Sequence, residues 1–265
     1  MATAEGLRFD QVEKDYVILW ILHAFSRPEF FVKAWVFKGG TCLRHCYYPG
    51  YRFSEDLDFT CQPESGSLDA ARMLFNSMAR WIQETSGIRM ETKDPHTIPG
   101  DFQVEIPLEY ARGGRRTRGL PSAKIHLTFD EPILTEVVAC TIKPRYSDLS
   151  EFQITAYSKK EIVAEKMRAL LQQQKKWPRP RDLYDLWFVL CRSAESFDAQ
   201  ELKGLFAEKC KVRQIKPDMA GLTSENLRDW NKEAWENQMK PIMKRVPEFD
   251  EVWQEWVTKF HDIFG

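Results

Sequence analysis

The feature that most constrains this chain is a pair of glycines followed closely by a pair of carboxylates. Lys38-Gly39-Gly40-Thr41 precedes Ser54-Glu55-Asp56-Leu57-Asp58-Phe59. Residues two apart on a β-strand point to the same face, so Asp56 and Asp58 should project together. Adjacent carboxylates repel each other unless a cation lies between them, and Mg²⁺ commonly takes one or two carboxylates plus substrate phosphates. The pattern therefore predicts a metal–phosphate site in which the glycine turn contributes backbone N–H groups.

Each half of this pattern is weak by itself, because two adjacent glycines often mark only a turn and Asp-x-Asp arises by chance. The combination is more specific. We predict a strand at Ala34–Phe37, the glycine turn, a short helix at Thr41–Tyr48 and then the strand that carries the acids. In so compact a unit, the turn and the carboxylates can meet in space.

Four segments, in order along the chain, resemble the AbiEii/AbiGii toxin family within the polymerase-β-like nucleotidyltransferase superfamily. The first runs from Phe37 to Arg44 and continues from Arg52 to Phe59, which gives the Gly-Gly and Asp-x-Asp motif of that superfamily. The others are Val12–Tyr16, Tyr157–Lys166 and Arg179–Trp187. The resemblance thus covers roughly residues 10 to 192 and is far more specific than Asp-x-Asp alone.

The resemblance implies an α+β fold with a polymerase-β-like nucleotidyltransferase core, a mixed sheet with flanking helices, followed by a C-terminal helical region. We place the core with its N-terminal helix in residues 1–157 and the helical domain in residues 158–265. The resemblance implies these catalytic residues: Asp56, Asp58, Lys166 and Asp182. It implies these nucleotide-binding residues: Lys38, Gly39, Gly40, Thr41, Ser54 and Arg181. Lys166 would reach the nucleotide phosphates, and Asp185 ranks below Asp182 as an orienting partner of an arginine.

The same resemblance implies a toxin of a type IV toxin–antitoxin or phage-defence pair. Such an enzyme would use an NTP with Mg²⁺ or Mn²⁺ bound by Asp56 and Asp58. It would transfer a nucleotide, with the 3′ end of tRNA as the expected acceptor, and so block translation and growth. A cognate antitoxin protein is the expected partner.

Polymerase-β-like enzymes commonly carry a third metal-binding carboxylate on a later strand. The best candidate strand here, Lys124–Phe129, has His126 where an acid is expected, with Asp130 just beyond it. Either Asp130 or Glu105 substitutes, or one metal is held mainly by the Asp-x-Asp pair and the nucleotide.

Two basic segments are candidates for nucleic-acid contacts. The segment 112–119 holds Arg112, Arg115, Arg116 and Arg118 at the tip of an expected hairpin. Arginine forks suit phosphate oxygens, so this tip could clamp an RNA backbone, although a solvated loop is an equal alternative. The second segment, Lys175–Arg181, leads directly into Asp182.

Composition is compatible with an ordinary globular protein that works in the cytoplasm. Lys and Arg number 38 and Asp and Glu number 39, so an RNA partner would need local basic patches. The longest apolar run, Tyr16–Leu22, is too short to span a membrane, and the polar N-terminus does not resemble a signal peptide. The six cysteines lack Cys-x₂-Cys pairing and suggest reduced thiols. Core packing is a better reading of Cys42, His45 and Cys46 than zinc binding.

Periodicity supplies the remaining elements. We expect helices at Phe9–Phe25, Ser67–Glu84, Ser158–Gln174 and Asp182–Cys191, and strands at Ile88–Thr92, Asp101–Tyr110 and Ala123–Phe129. The rest should be helical, with core tryptophans at 230, 235, 253 and 256.

The same motifs are compatible with three other functions. A nucleotidyltransferase could modify a protein hydroxyl and would label protein in place of RNA. A metal-dependent ribonuclease could use the same Asp pair and would shorten RNA without a nucleotide. A non-enzymatic nucleotide-binding module would form no product, although the intact Gly-Gly, Asp-x-Asp, Lys166 and Asp182 set argues against it.

Overall fold

The computed structural model describes residues 8–32, 34–62, 68–97, 103–111, 120–173 and 176–265. The chain divides into two compact units, Met1–Tyr157 and Ser158–Gly265. The first unit is mixed α/β and the second is helical in its described residues. The four arginines predicted to contact RNA, in segment 112–119, lie outside the described residues.

The first unit is built from three helices and one sheet in its described part. Its helices are α1 (Phe9–Phe25), α2 (Gly39–Cys42, continuing as a π-helical turn over Leu43–Tyr47) and α3 (Leu68–Ser86). Its strands are β1 (Trp35–Lys38), β2 (Asp56–Cys61), β3 (Arg89–Thr92), β4 (His96–Thr97), β5 (Gln103–Ala111), β6 (Ser122–Thr128), β7 (Val138–Ile142) and β8 (Phe152–Ala156).

The strands form one mixed sheet in the order β3-β5-β6-β2-β1-β8-β7, with β4 pairing with β5. The strand that carries the acids lies inside the sheet, antiparallel to β1 and parallel to β6. The register places Lys38 opposite Asp58, Asp58 opposite His126 and His126 opposite Glu105. Paired residues share a face, so side chains from four strands meet in one row across the sheet.

Helix α1 is buried on nearly all sides, which matches its uninterrupted apolar run. Every residue from Tyr16 to Leu22 is buried. The helix is tied to the turn region through a buried ion pair, in which Arg44 Nε donates to Asp15 Oδ1 at 3.1 Å. The Tyr146 hydroxyl donates to the other carboxylate oxygen of Asp15 at 3.1 Å. Cys42 and Leu43 pack in the core of the same region.

The second unit contains α4 (Lys159–Gln172), α5 (Pro180–Trp187, continuing as a π-helical turn over Phe188–Arg192), α6 (Ala199–Val212), α7 (Glu225–Met239) and α8 (Phe249–Phe264). The predicted cap of α4 is present, because the Ser158 hydroxyl accepts a hydrogen bond from the Glu161 N–H at 3.2 Å. Trp235 and Trp256 are core residues, whereas Trp230 and Trp253 are only partly buried. In the described part of the chain, no helix combines the length and hydropathy that a membrane crossing requires.

Candidate active site

The turn between β1 and α2 needs a glycine at its first position for two separate reasons. Gly39 has φ +79°, the left-handed region that side-chain-bearing residues rarely adopt. A Cβ at this position would also overlap the Asp58 Oδ2 atom. At Gly40, a Cβ would lie 2.7 Å from Arg52 Nη2 and 3.0 Å from the Ser54 hydroxyl oxygen. Gly39 therefore lets the backbone approach the Asp58 carboxylate closely, and Gly40 leaves room for Arg52 and Ser54.

We expect Gly39→Ala to impair activity far more than an otherwise comparable change at Gly50. Gly50 has φ +80° but open space around its missing Cβ, so Gly50→Ala measures backbone strain alone, about 1 kcal/mol. Gly39→Ala adds the displacement of Asp58. Urea unfolding and nucleotide-transfer rates of both purified variants would separate the two effects. Equal losses in the two variants would show that the close approach to Asp58 has no functional weight.

The turn and the acidic strand are fastened to each other by hydroxyl groups. The Thr41 hydroxyl lies 2.9 Å from the Ser54 hydroxyl and also donates to the Asp56 carbonyl. Thr41 is completely buried, so its first role is to hold α2 against the start of β2. Ser54 is partly exposed. Nucleotide binding by these two residues stays a prediction.

The carboxylate of Asp56 is in an environment that a bound cation would stabilise. Burial, and next to it the charge of Asp58, raise the pKa of Asp56 above the ordinary carboxyl value. Among the described residues, no hydrogen bond or ion pair engages its side chain. A divalent cation between Asp56 and Asp58 would offset both unfavourable effects, so the two side chains fit a metal of the kind that takes few protein carboxylates. Within the same residues, no three His, Cys, Asp or Glu side chains form a complete metal-binding cluster.

A hydrogen-bonded row extends from Asp58 across the sheet, and His126 is its centre. His126 Nδ1 lies 3.0 Å from Asp58 Oδ1, and its Nε2 lies 3.1 Å from Glu105 Oε2. Lys124 Nζ lies 3.1 Å from the same Glu105 oxygen. Burial alone lowers the pKa of His126, but its contacts with Asp58 and Glu105 and the charge of Asp56 raise it to about 9. A protonated His126 therefore donates to both carboxylates and fixes the orientation of Asp58.

This row shows where Glu105, one of the two candidates for a third carboxylate, lies relative to Asp58. Glu105 is nearly buried and reaches His126, so a histidine lies between it and Asp58. Contact with His126 and Lys124 lowers the pKa of Glu105, although its burial opposes the shift. Asp130 lies beyond the end of β6 and is exposed. The sequence shows a histidine where an acid is expected. That His126 joins Asp58 to Glu105 depends on strand register, which has no signal in the sequence.

Lys38 lies at the end of β1 with a buried side chain. Its Nζ is 3.6 Å from Glu131 Oε2 and 5.7 Å from the centroid of the Tyr157 ring. Both charged groups of the pair are almost fully excluded from solvent. The pair holds the first residue of the turn in place, and a direct contact of Lys38 with nucleotide stays a prediction.

The second unit gathers the other predicted residues into a cluster of its own. Lys166, on α4, lies 2.6 Å from Asp182 Oδ1 and 2.7 Å from Asp185 Oδ2, both on α5. Asp185 is completely buried, whereas Asp182 and Lys166 retain slight exposure. Arg179 Nη1 lies 3.3 Å from Asp182 Oδ2. Spacing on α5 places Asp182 and Asp185 one turn apart, so both carboxylates meet the same ammonium group. Asp185 thus pairs with a lysine.

Arg181 is the remaining predicted nucleotide contact in this unit. Its side chain is partly buried, and among the described residues its Nε has no hydrogen-bond partner. A buried guanidinium N–H without a partner is costly, and it is available to an anionic oxygen. The assignment of Arg181 to nucleotide binding stays a prediction.

Comparison with known proteins decides what this arrangement belongs to. The model of the nucleotidyl transferase AbiEii toxin family, from type IV toxin–antitoxin systems, matches residues 20–256. The chain belongs to the AbiEii toxin family. Among solved structures, MenT4, a nucleotidyltransferase toxin from Mycobacterium tuberculosis H37Rv, is similar with a TM-score of 0.64 and 17% sequence identity. The similarity covers 98% of this chain and 86% of MenT4, and at that identity it shows the fold. No curated protein has significant sequence similarity to the chain.

Membership of the AbiEii family confirms several predictions made from the motifs. The protein is a nucleotidyltransferase toxin of a type IV toxin–antitoxin system, and its fold is the mixed α/β fold of such toxins. Enzymes of this class use an NTP and a divalent metal, and the system implies a cognate antitoxin. The Gly-Gly turn and the Asp-x-Asp strand, which pointed to this family, lie together in the first unit.

Proposed function

We propose that this AbiEii toxin transfers a nucleoside monophosphate from an NTP to the 3′ end of tRNA, in a reaction that requires Mg²⁺. The observation that carries the proposal is the state of Asp56. Its carboxylate is partly buried beside Asp58, its pKa is raised, and among the described residues it has no direct partner. Such a group is stabilised by a bound cation, and Gly39 brings the turn backbone close to the carboxylate of Asp58.

Asp56 and Asp58 would hold the metal ion. When bound, Mg²⁺ would neutralise charge on the triphosphate and orient it for displacement. A hydrogen bond from His126 keeps Asp58 in one orientation, and the Gly39 backbone lies close to the same carboxylate. Positioning of this kind is the main protein contribution to phosphoryl and nucleotidyl transfer.

The acceptor hydroxyl would attack the α-phosphorus of the NTP. A bond forms between the acceptor oxygen and phosphorus, and the bond to pyrophosphate breaks. The hydroxyl proton passes to a carboxylate of the Asp56–Asp58 pair. We assign to Lys166 the stabilisation of the charge that develops on the leaving pyrophosphate, and Asp182 and Asp185 hold its ammonium group in a fixed position.

A labelling experiment tests the proposal. Purified protein is incubated with total tRNA, Mg²⁺ and each α-³²P-labelled NTP separately, with Asp56→Ala as the control variant. We expect label at the 3′ end of tRNA from one or more NTPs, no label without Mg²⁺, and no label with the variant.

Other outcomes would replace the proposal with a defined alternative. Label in added protein with none in RNA would show a protein acceptor. Shortened RNA in the absence of NTP would show a ribonuclease. Undiminished labelling by folded Asp56→Ala protein would remove the assigned role of the Asp-x-Asp pair.

A further inference from the structure

Trp177 lies on the surface of the second unit, which is unusual for the residue type. All nine tryptophans of the chain are among the described residues, and Trp177, at 67% exposure, is the most exposed of them. Exposure of so large an apolar ring is unfavourable unless something covers it. The ring is thus accessible to another molecule.

The segment that carries Trp177 is held firmly against the helices around it. The backbone N–H of Arg179 donates to Gln173 Oε1 at 2.8 Å, and Asn231 donates to the same oxygen at 3.1 Å. Both amide side chains are buried. The Gln238 side chain donates to the Pro178 carbonyl at 3.4 Å. Proline also follows Trp177 directly, which restricts its backbone to extended conformations. The fold thus presents the ring in a defined position.

Two basic residues flank Trp177 in the sequence. Lys176 Nζ lies 5.2 Å from the centroid of the Trp177 ring. Arg179, two residues on, is about half exposed and lies 3.3 Å from Asp182, which in turn binds Lys166. The aromatic surface and the assigned catalytic lysine therefore belong to one connected cluster in the second unit. Alternation of basic and aromatic side chains is the pattern that binds single-stranded nucleic acid, because cations meet the phosphates while rings stack on bases.

We infer that Trp177, flanked by Lys176 and Arg179, is a stacking platform for an unpaired base of the RNA acceptor. The inference rests on the proposed function and deepens it, because it names where the acceptor strand is held. Stacking tolerates every base, so the platform selects for an unpaired end and against a duplex. Lys176 lies beside the ring and Arg179 is two residues further along the chain, so both could contact the phosphates of the stacked nucleotide.

Binding without catalysis tests this inference separately from the proposed reaction. The probe is a fluorescein-labelled single-stranded RNA of about ten nucleotides, titrated with full-length protein in the absence of NTP and followed by anisotropy. We expect Trp177→Ala to weaken binding about tenfold and Trp177→Phe to restore most of the loss, since each stacked base contributes that much. Phe31→Ala, which truncates an exposed ring in the first unit, should bind like wild type.

Two further comparisons identify stacking as the cause. Trp177→Ala should leave the salt dependence of binding unchanged, whereas Lys176→Ala should reduce its slope by about 0.7, the value for one lost phosphate contact on a single strand. A blunt RNA duplex should bind Trp177→Ala and wild type equally. In turnover, Trp177→Ala should raise KM for RNA and leave KM for NTP unchanged.

The inference would be overturned if Trp177→Ala bound the single strand as tightly as wild type. A raised KM for NTP with unchanged RNA binding would overturn it too, and would place the nucleotide base on the ring. If RNA binding fell as expected while no nucleotide were transferred to any RNA, the platform would stand and the proposed reaction would fail.

Discussion

Asp56→Asn and Asp58→Asn are each expected to lower nucleotide transfer by at least about 10³-fold while the fold is retained. The magnitude follows from the loss of a group that holds the metal at the developing charge, an interaction that counts mainly in the transition state. Single-turnover rates at saturating NTP would measure it. Both substitutions preserve side-chain volume, so far-ultraviolet circular dichroism of the variants should match wild type.

Asp56→Asn should lower activity but raise the free energy of unfolding. Because the folded state raises the pKa of Asp56, its charged form is disfavoured, and stability falls as pH rises from the ordinary carboxyl pKa through the raised value. The penalty is fully present once the pH exceeds the raised pKa of Asp56. Asp56→Asn removes it, so without metal this variant should unfold at higher urea concentration than wild type. Added Mg²⁺ should stabilise wild type and leave the variant unchanged.

Glu55→Gln is the matched control for these two variants. Glu55 neighbours Asp56 and is paired with Lys14 at 2.8 Å, so the change removes a negative charge in the same place. It should retain most of the activity. Equal losses at residues 55, 56 and 58 would show that local charge matters and that the Asp-x-Asp pair has no special role.

Lys166→Met is expected both to inactivate the enzyme and to lower its free energy of unfolding by about 3 kcal/mol. The lysine is nearly buried, and its loss removes one ion-pair partner of the completely buried Asp185. Breaking a buried pair from one side is costly because the remaining charge stays desolvated. Urea unfolding and single-turnover transfer rates would measure the two effects.

The double variant Lys166→Met with Asp185→Asn separates the structural effect from the catalytic one. Removing the second charge should restore most of the lost stability, because a neutral amide is much cheaper to bury than an unpaired carboxylate. Activity should remain absent if Lys166 acts on the leaving pyrophosphate. Recovery of activity together with stability would show that Lys166 serves only the fold.

Local patterns predicted the parts of the fold that depend on neighbours in the sequence. Helix α1 has the bounds expected from its apolar run, and α4 begins at its predicted Ser158 cap. The turn, α2 and β2 follow one another as the motif indicated. Strands β7 and β8 were not predicted, since each is only five residues long and gives a weak periodic signal.

Contacts between distant segments could not be predicted in the same way. The role of His126 depends on the register of three strands, and it becomes visible only when Asp58, His126 and Glu105 are opposite one another. Orientation of an arginine by Asp185 stays a prediction, whereas its contact with Lys166 arises from the packing of α4 against α5 and has no signal in the sequence. Both contacts depend on tertiary packing between segments that are far apart in the sequence, and local sequence patterns do not predict such packing.

The hydrogen bonds of Thr41 with Ser54 and with the Asp56 carbonyl restrict which substitutions this part of the chain can accept. The Thr41 and Ser54 hydroxyls, thirteen residues apart, share one partly buried hydrogen bond, so a change in either side chain removes a contact between the turn and β2. Tolerated replacements should therefore arise as compensated pairs. We expect this turn and its acidic strand to be inherited as a single block.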